Sequence, residues 1–256
     1  MHTETVSGNP ADPAGKRASL PGVALVIGAG GGLGTALVAQ LSGAPGAISA
    51  FPAVWALGRS TQPALDYGHE PSLQAAASWV AAQCAERQLE LRLIIVATGF
   101  LHGPQGQPER SLAHLDADYL RHVFQVNAIG PALVMKHFLP LLPKQGRCVA
   151  AFVSAKVGSI GDNALGGWYG YRASKAALNQ LVKTTSIELT RRNQQSICVA
   201  LHPGTVATAL SQPFAKTGLN VRPPEEAAGD LLAVLQGLTP EKTGCLVDYR
   251  GATLPF

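Results

Sequence analysis

The sequence predicts an α/β fold, a parallel sheet doubly wound with helices on both faces. Three observations carry that reading. Short apolar runs alternate with helical stretches along most of the chain, as successive βα units require. The run "RLIIVATG" (92–99) is apolar almost without a break, the pattern of a strand buried on both faces. The glycine-rich stretch "GAGGGLG" (28–34) stands between the first such run and the first helix. In open sheets of this kind ligands bind outside the carboxyl ends of the strands.

The elements follow in order. "VALVIGAG" (23–30) is a strand ending in glycines, and residues 33–43 form a helix. "AVWALGR" (53–59) is the second strand. "SLQAAASWVAAQCAER" (72–87) is helical, with Ser72 as its N-cap. After the buried strand at 92–99, a long helix spans about 117–139 and stops near Pro140 and Pro143. "RCVAAFVSA" (147–155) is a strand and 170–191 a helix. "SICVALHPG" (196–204), a helix at 225–236 and a last strand "GCLVDY" (244–249) complete the series.

Composition narrows the classes. The 256 residues are 46% hydrophobic and 14% charged, which suits one large α/β domain or two small ones. A net charge of +4 without a basic stripe argues against a nucleic-acid partner. Cys84, Cys148, Cys198 and Cys245 lie far apart, with no CxxC or Cys/His cluster, so no metal site is expected. Three of them sit in apolar runs, where a reduced buried thiol is the default, and this suggests a reducing compartment. Residues 1–20 are polar, Pro/Gly-rich and without a signal-peptide core. They read as a flexible N-terminal tail on a cytoplasmic protein, and no apolar run long enough for a membrane span occurs.

The glycine loop carries the first chemistry. Its backbone N–H groups open a helix, where a pyrophosphate can approach closely. The pattern is Gly28, Gly30, Gly31, Gly32, Leu33, Gly34, so Leu33 occupies the third glycine position of a G-x-G-x-x-G motif. Arg59 ends the second strand, where the adenosine ribose of a bound dinucleotide would lie. An acidic residue there would suit NAD, whereas arginine suits the extra phosphate of NADP. Asp66 either caps a strand beside the adenine or is a turn aspartate.

The segment "YGYRASK" (169–175) carries the second. Tyr171 and Lys175 are one helical turn apart and share a face, whereas Tyr169 points elsewhere. A free phenol, with a pKa of about 10, is a poor acid near neutrality. A cation held beside it favours the phenolate and lowers that pKa, so the pair can serve a carbonyl as general acid and base. Alone, such a pair is usually inert. Its place after the glycine loop, a buried strand and Ser154 favours function.

Taken together, these motifs resemble the short-chain dehydrogenase/reductase family. The carbonyl-reductase-like branch that includes a developmental signalling factor of myxobacteria is the most similar. The matching stretches are "GAGGGLG" (28–34), "FQVNAIGPALVMKHFLPLL" (124–142), "VSAKVGSIGDNALGGWYGYRASKAALN" (153–179), "HPGTVAT" (202–208) and "VDYRGATLPF" (247–256). The likeness covers about residues 21–256, one dinucleotide-binding domain. It implies a single Rossmann-type parallel sheet of seven strands in the order 3-2-1-4-5-6-7. It implies an oxidoreductase moving a hydride between NADP(H), rather than NAD, and a small carbonyl or alcohol substrate.

The resemblance also implies roles. Tyr171 would be the proton donor and Lys175 would bind the nicotinamide ribose and lower the tyrosine pKa. Asn127, a poor helix former inside a helical run, would hold a water linking Lys175 to solvent. A serine would bind the substrate carbonyl. Asp66, Tyr67 and Gly99 would line the adenosine and ribose side of the cofactor site, and Pro203, Gly204, Val206 and Thr208 the nicotinamide side. Three departures stand out: Ile27 for a threonine, "VATG" (96–99) for Asn-Asn-Ala-Gly, and Ser154-Ala155 for two serines, the second of which is catalytic. Ser154 is favoured over Ser159 for the serine role, unless that role is missing. The segment 209–226 is expected over the substrate. Phe100, Leu101, Trp168, Tyr169 and Phe214 form an apolar pocket there or simply pack in the core. The helices at 117–139 and 170–191 would build a homodimer or homotetramer. The competing function is a dinucleotide-binding sensor or signalling protein with little turnover. An α/β interaction module without a nucleotide fits the glycine loop poorly.

Overall fold

A computed structural model of the chain describes residues 20–43, 51–214 and 220–256. The tail expected at 1–20 lies, apart from Leu20, outside the described residues. The strands of the main sheet are β1 (Gly22–Ile27), β2 (Val54–Leu57), β3 (Glu90–Val96), β4 (Cys148–Val153), β5 (Ser196–His202), β8 (Leu246–Asp248) and β9 (Thr253–Leu254). Two short strands, β6 (Thr205–Val206) and β7 (Val221–Arg222), pair apart from it. The helices are α1 (Gly32–Leu41), α2 (Glu70–Arg87), α3 (Ala117–Phe124), α4 (Gly130–Phe138), α5 (Tyr169–Arg192) and α6 (Pro224–Gly237).

The alternation of strand side chains divides the core into two layers. Val23, Leu25 and Ile27 of β1 face α2, α4 and α5, meeting Leu73, Val80, Phe138 and Leu178. Ala24 and Val26 face α1 and α6, meeting Leu37, Leu41 and Leu231. Both faces are covered, which is why the strand sequences are apolar throughout rather than alternating. Leu25 is fully buried, and its truncation to alanine should destabilise the fold by about 2–5 kcal/mol.

The sheet has seven strands, the number the resemblance implies, in the order β2-β1-β3-β4-β5-β8-β9. The first six run parallel and β9 is antiparallel to β8. The expected order, with a further strand outside β2, is therefore corrected. Residues 58–65 tie themselves into a turn instead: Leu65 N donates to Gly58 O at 2.9 Å, and Thr61 Oγ1 bonds Gly58 N at 2.9 Å and Pro63 O at 2.7 Å. Pro63 has no N–H for a ladder. The final strand is antiparallel because a tight turn leads to it, and only a hairpin can close over so few residues. Asp248 Oδ1 holds that turn by accepting from Arg250 N at 3.0 Å and Ala252 N at 2.8 Å.

Two local expectations change. Helix α2 starts at Glu70 with His69 as its cap. Ser72 instead bonds the backbone of Asp66 from the first turn, at 2.9 Å to its N and 3.0 Å to its O. The long helix expected at 117–139 is interrupted by a π-turn over Gln125–Ile129, between α3 and α4. Among the described residues no helix is long and apolar enough to cross a membrane.

Candidate active site

The loops at the carboxyl ends of β1 to β5 converge on one cleft. The glycine loop forms one wall. Gly28 has a φ of +89°, and a Cβ there would meet Thr98 Cγ2 at 2.8 Å. A Cβ on Gly34 would fall 2.1 Å from Gly28 O, so Gly34 is the glycine that lets α1 close on β1. Leu33, at the odd motif position, points into the core and is 8% exposed. The outer side of the loop is open: a Cβ on Gly30 would meet nothing within 4 Å. The first turn of α1 carries no acidic side chain, so its N–H groups and dipole are free to receive an anion.

Beside this loop, Gly28 N donates to Leu57 O of β2 at 2.9 Å, which brings the exposed Arg59 to the edge of the cleft. Asp66 caps no strand; it is the turn aspartate of the two readings, its Oδ1 accepting from Gly68 N at 2.8 Å. Tyr67 packs its ring on Gly130, where a Cβ would sit 2.0 Å from Tyr67 Cδ2. Its hydroxyl meets Thr98 Oγ1 at 3.0 Å. Burial raises the Tyr67 pKa, and the Thr98 bond offsets part of that. The altered "VATG" is thus chemically satisfied, its extra hydroxyl being matched by Tyr67.

The π-turn explains the misplaced asparagine. Asn127 is fully buried, and its amide closes on the backbone of Phe100: Phe100 N donates to Oδ1 at 2.8 Å and Nδ2 donates to Phe100 O at 2.8 Å. Nδ2 also reaches Ser174 Oγ at 3.1 Å, and Ser174 Oγ donates to Tyr171 O at 2.8 Å. One polar chain therefore runs from the end of β3 to the backbone of Tyr171. Single π-turns of this kind recur at functional sites.

Tyr171 and Lys175 stand at the floor of the cleft, 8% and 2% exposed. Lys175 Nζ donates to Val153 O at 2.9 Å and lies 5.9 Å from the centre of the Tyr171 ring. A Cβ on the exposed Gly99 would lie 3.6 Å from Leu210 Cδ1, 3.7 Å from Lys175 Nζ and 3.8 Å from Asn127 Oδ1, so the loop after β3 passes directly over both polar groups. Burial pushes the Tyr171 phenol up to about 12 and the Lys175 amine down to about 7. The expected lowering of the phenol by the ammonium is thus corrected. Desolvation dominates both groups, because a buried lysine beside a single carbonyl is itself a costly charge.

The serine role departs further from expectation. Ser154 Oγ donates to Asn179 Oδ1 at 2.7 Å and the residue is 2% exposed. Its alternation along β4 turns it toward α5. Ser159 is 1% exposed and its Oγ accepts from Asp162 N at 3.1 Å. In this arrangement the Ser154 hydroxyl is engaged with Asn179, whereas the Ser159 hydroxyl only accepts. On the far wall, Pro203 is buried, Gly204 has a φ of +76° and Val206 is 6% exposed. A Cβ on Gly32 would come 3.0 Å from Thr208 Cγ2, so this segment rests on the start of α1.

The sequence did not reveal Glu109. It is 2% exposed, and both carboxylate oxygens accept from Gly170 N at 3.1 Å, capping α5 just before Tyr171. Nothing local announces a contact across that separation in the chain. Asn179 was equally hidden, although its place one turn beyond Lys175 put it on the same helix face.

A glycine loop opening a helix, with a buried tyrosine and lysine across the cleft, defines a doubly wound protein built as dehydrogenases are. The profile of the short chain dehydrogenase family matches residues 22–218. The C-signal protein of Myxococcus xanthus is 37% identical over 143 residues, 55% of this chain and 82% of that protein. A 1-hydroxy-2-glutathionyl-2-methyl-3-butene dehydrogenase of Rhodococcus sp. (strain AD45) is 30% identical over 201 residues, 78% of this chain and 82% of that one. Among solved structures, the NADPH-bound carbonyl reductase from chicken fatty liver superposes with a TM-score of 0.77 at 24% identity, covering 93% of this chain and 100% of that one. The chain belongs to the short-chain dehydrogenase/reductase family of oxidoreductases.

Proposed function

We propose that the protein is an NADP(H)-dependent reductase of small carbonyl compounds, or the corresponding alcohol dehydrogenase. The observation that carries this is the pairing of buried Tyr171 and Lys175 beneath an open glycine cleft. The cleft suits a dinucleotide: the open side of Gly30 and a first turn of α1 without acidic side chains leave room for a pyrophosphate. Arg59 is the residue for a 2′-phosphate, which favours NADP over NAD. Tyr67 and Gly99 would line the adenosine and ribose side, with Asp66 holding the turn before Tyr67, and Pro203, Gly204, Val206 and Thr208 would line the nicotinamide side. The NADPH-bound chicken enzyme supports the same choice. When bound, such a cofactor supplies or accepts the hydride.

The chain's own residues handle the proton. A phenol held at about 12 is fully protonated near neutrality, so Tyr171 is poised as a proton donor to a developing alkoxide rather than as a resting base. Lys175, held near 7 by burial and donating to Val153 O, would bind the nicotinamide ribose of a bound cofactor beside the phenol. The polar chain through Asn127 and Ser174 fixes the turn of α5 that carries both. With the Ser154 proton directed at Asn179, Ser159, whose Oγ accepts from Asp162 N and keeps its own proton, is the remaining candidate to assist Tyr171 at the carbonyl.

The segment 209–226, of which 215–219 lies outside the described residues, would border the substrate. Ile129 and Ile187, 46% and 48% exposed, favour a homo-oligomer built through the helices that carry them. Fluorescence titration with NADPH and then a carbonyl panel tests the function. Turnover of at least one carbonyl is expected, whereas tight NADPH binding with none would make the chain a dinucleotide sensor.

A further inference from the structure

An aromatic wall borders the Tyr171 side of the cleft, and its central member sits in an unfavourable backbone conformation. Gly166, Gly167 and Trp168 are consecutive left-handed residues, with φ of +64°, +65° and +52°. Two glycines adopt this freely, but a tryptophan does not, and such outliers persist only where surrounding bonds over-determine them. Those bonds are present. Trp168 N donates to Glu109 O at 2.6 Å, Arg172 N to Trp168 O at 2.8 Å, and Arg172 Nε to Gly167 O at 3.0 Å. The Glu109 carboxylate accepts from Gly170 N, two residues on.

The strain places the indole at the mouth of the site. Its ring lies 6.2 Å from the Tyr171 ring at 82°, and 5.1 Å from Phe214 at 68°. Phe214 in turn meets His102 at 5.3 Å and 68°. His102 Nε2 lies 2.9 Å from Ala209 O, which ties the segment carrying Phe214 to the loop after β3. Every contact in this wall is edge-to-face, and Trp168 and Phe214 are only half-buried, so ring surface remains presented beside the phenol. The Glu109 carboxylate is turned away into the cap of α5. The face that Trp168 and Phe214 present is uncharged ring surface. It rewards a flat ring over a saturated one, because aromatic pairs gain attraction beyond their buried area.

We propose that Trp168, backed by Phe214, is a specificity-determining residue that selects neutral carbonyl compounds conjugated to an aromatic ring. This rests on the carbonyl-reductase reading of the same site. Two measurements separate the claims. Calorimetry on the NADP-saturated protein compares benzamide with cyclohexanecarboxamide, which have the carbonyl but are not reduced. Steady-state assays with NADPH compare benzaldehyde with cyclohexanecarbaldehyde. The aromatic member of each pair should be favoured, by roughly 3- to 10-fold in affinity for each ring pair formed. Trp168→Asn, which tolerates the left-handed backbone, should abolish most of that preference while leaving NADPH affinity near the wild-type value. If that variant fails to fold, Phe214→Leu should reduce the preference in the same direction. Equal or absent binding of both amides, or a preference unmoved by both substitutions, overturns the assignment. Discrimination between the amides without turnover of either aldehyde leaves the wall standing and overturns the catalytic reading. Turnover without discrimination does the reverse.

Discussion

Lys175 Nζ donates to the carbonyl oxygen of Val153 at 2.9 Å while standing 5.9 Å from the centre of the Tyr171 ring. The last residue of β4 thus holds the lysine that α5 sends beneath the cleft beside its phenol. The bond is to a neutral acceptor, so burial outweighs it and the amine is held near 7.

That depression fixes a pH dependence of stability. The unfolded chain keeps the lysine proton up to about 10.4, whereas the folded chain gives it up from about 7. The folded state therefore binds fewer protons between these values, and stability rises with pH across that window. Below about 7 the cost of the buried charge is present in full. His202, held at about 4, has the same sign in a lower window, and Cys198, pushed up to about 12, has the opposite sign above its ordinary 9.0. The difference between wild type and Lys175→Met isolates the lysine. Urea denaturation should show wild type gaining on the variant from pH 7 to about 9, and a constant gap would mean that Lys175 is solvated.

Arg59 should set cofactor choice. A charged hydrogen bond to a 2′-phosphate contributes about 1.5–3 kcal/mol. Arg59→Asp should therefore weaken NADPH binding by roughly 10- to 150-fold and spare or improve NADH. Comparable affinities for the two cofactors in the unmodified protein would remove the role given to Arg59.

Ser154 should behave as a structural residue. Ser154→Ala strands Asn179 Oδ1 in a buried position, a loss of about 1–3 kcal/mol in stability. Its kcat should stay within about tenfold of wild type, short of the ~10²–10⁴ associated with a lost acid–base group. A larger fall in kcat with unchanged stability would return the carbonyl-binding role to this serine.

The legible parts of the protein were those written locally. The glycine loop, the buried strands and the i, i+4 spacing of Tyr171 and Lys175 depend on neighbours in sequence, and they appear where their patterns place them. Asn127 announced itself as a poor helix former, and the π-turn at Gln125–Ile129 is the structural answer. Residues whose meaning depends on distant partners were not legible. Glu109 acts on Gly170, Asn179 on Ser154, and the turn at 58–65 replaces an edge strand through one threonine hydroxyl and a proline. The tuning of the phenol was misread for a related reason. Spacing shows that a cation is near, but only the fold shows how little water is left around it.

The account's central claim is that Tyr171 delivers the proton. The most direct test is steady-state NADPH oxidation by Tyr171→Phe on a confirmed carbonyl substrate, with NADPH affinity measured in parallel and Tyr169→Phe as the control. Tyr169 is 36% exposed at the start of α5 and its hydroxyl should matter little to the rate. The account predicts that Tyr171→Phe lowers kcat by about 10²–10⁴ while NADPH binding stays near wild type, because the lost group acts in the transition state. Full activity in Tyr171→Phe would contradict it.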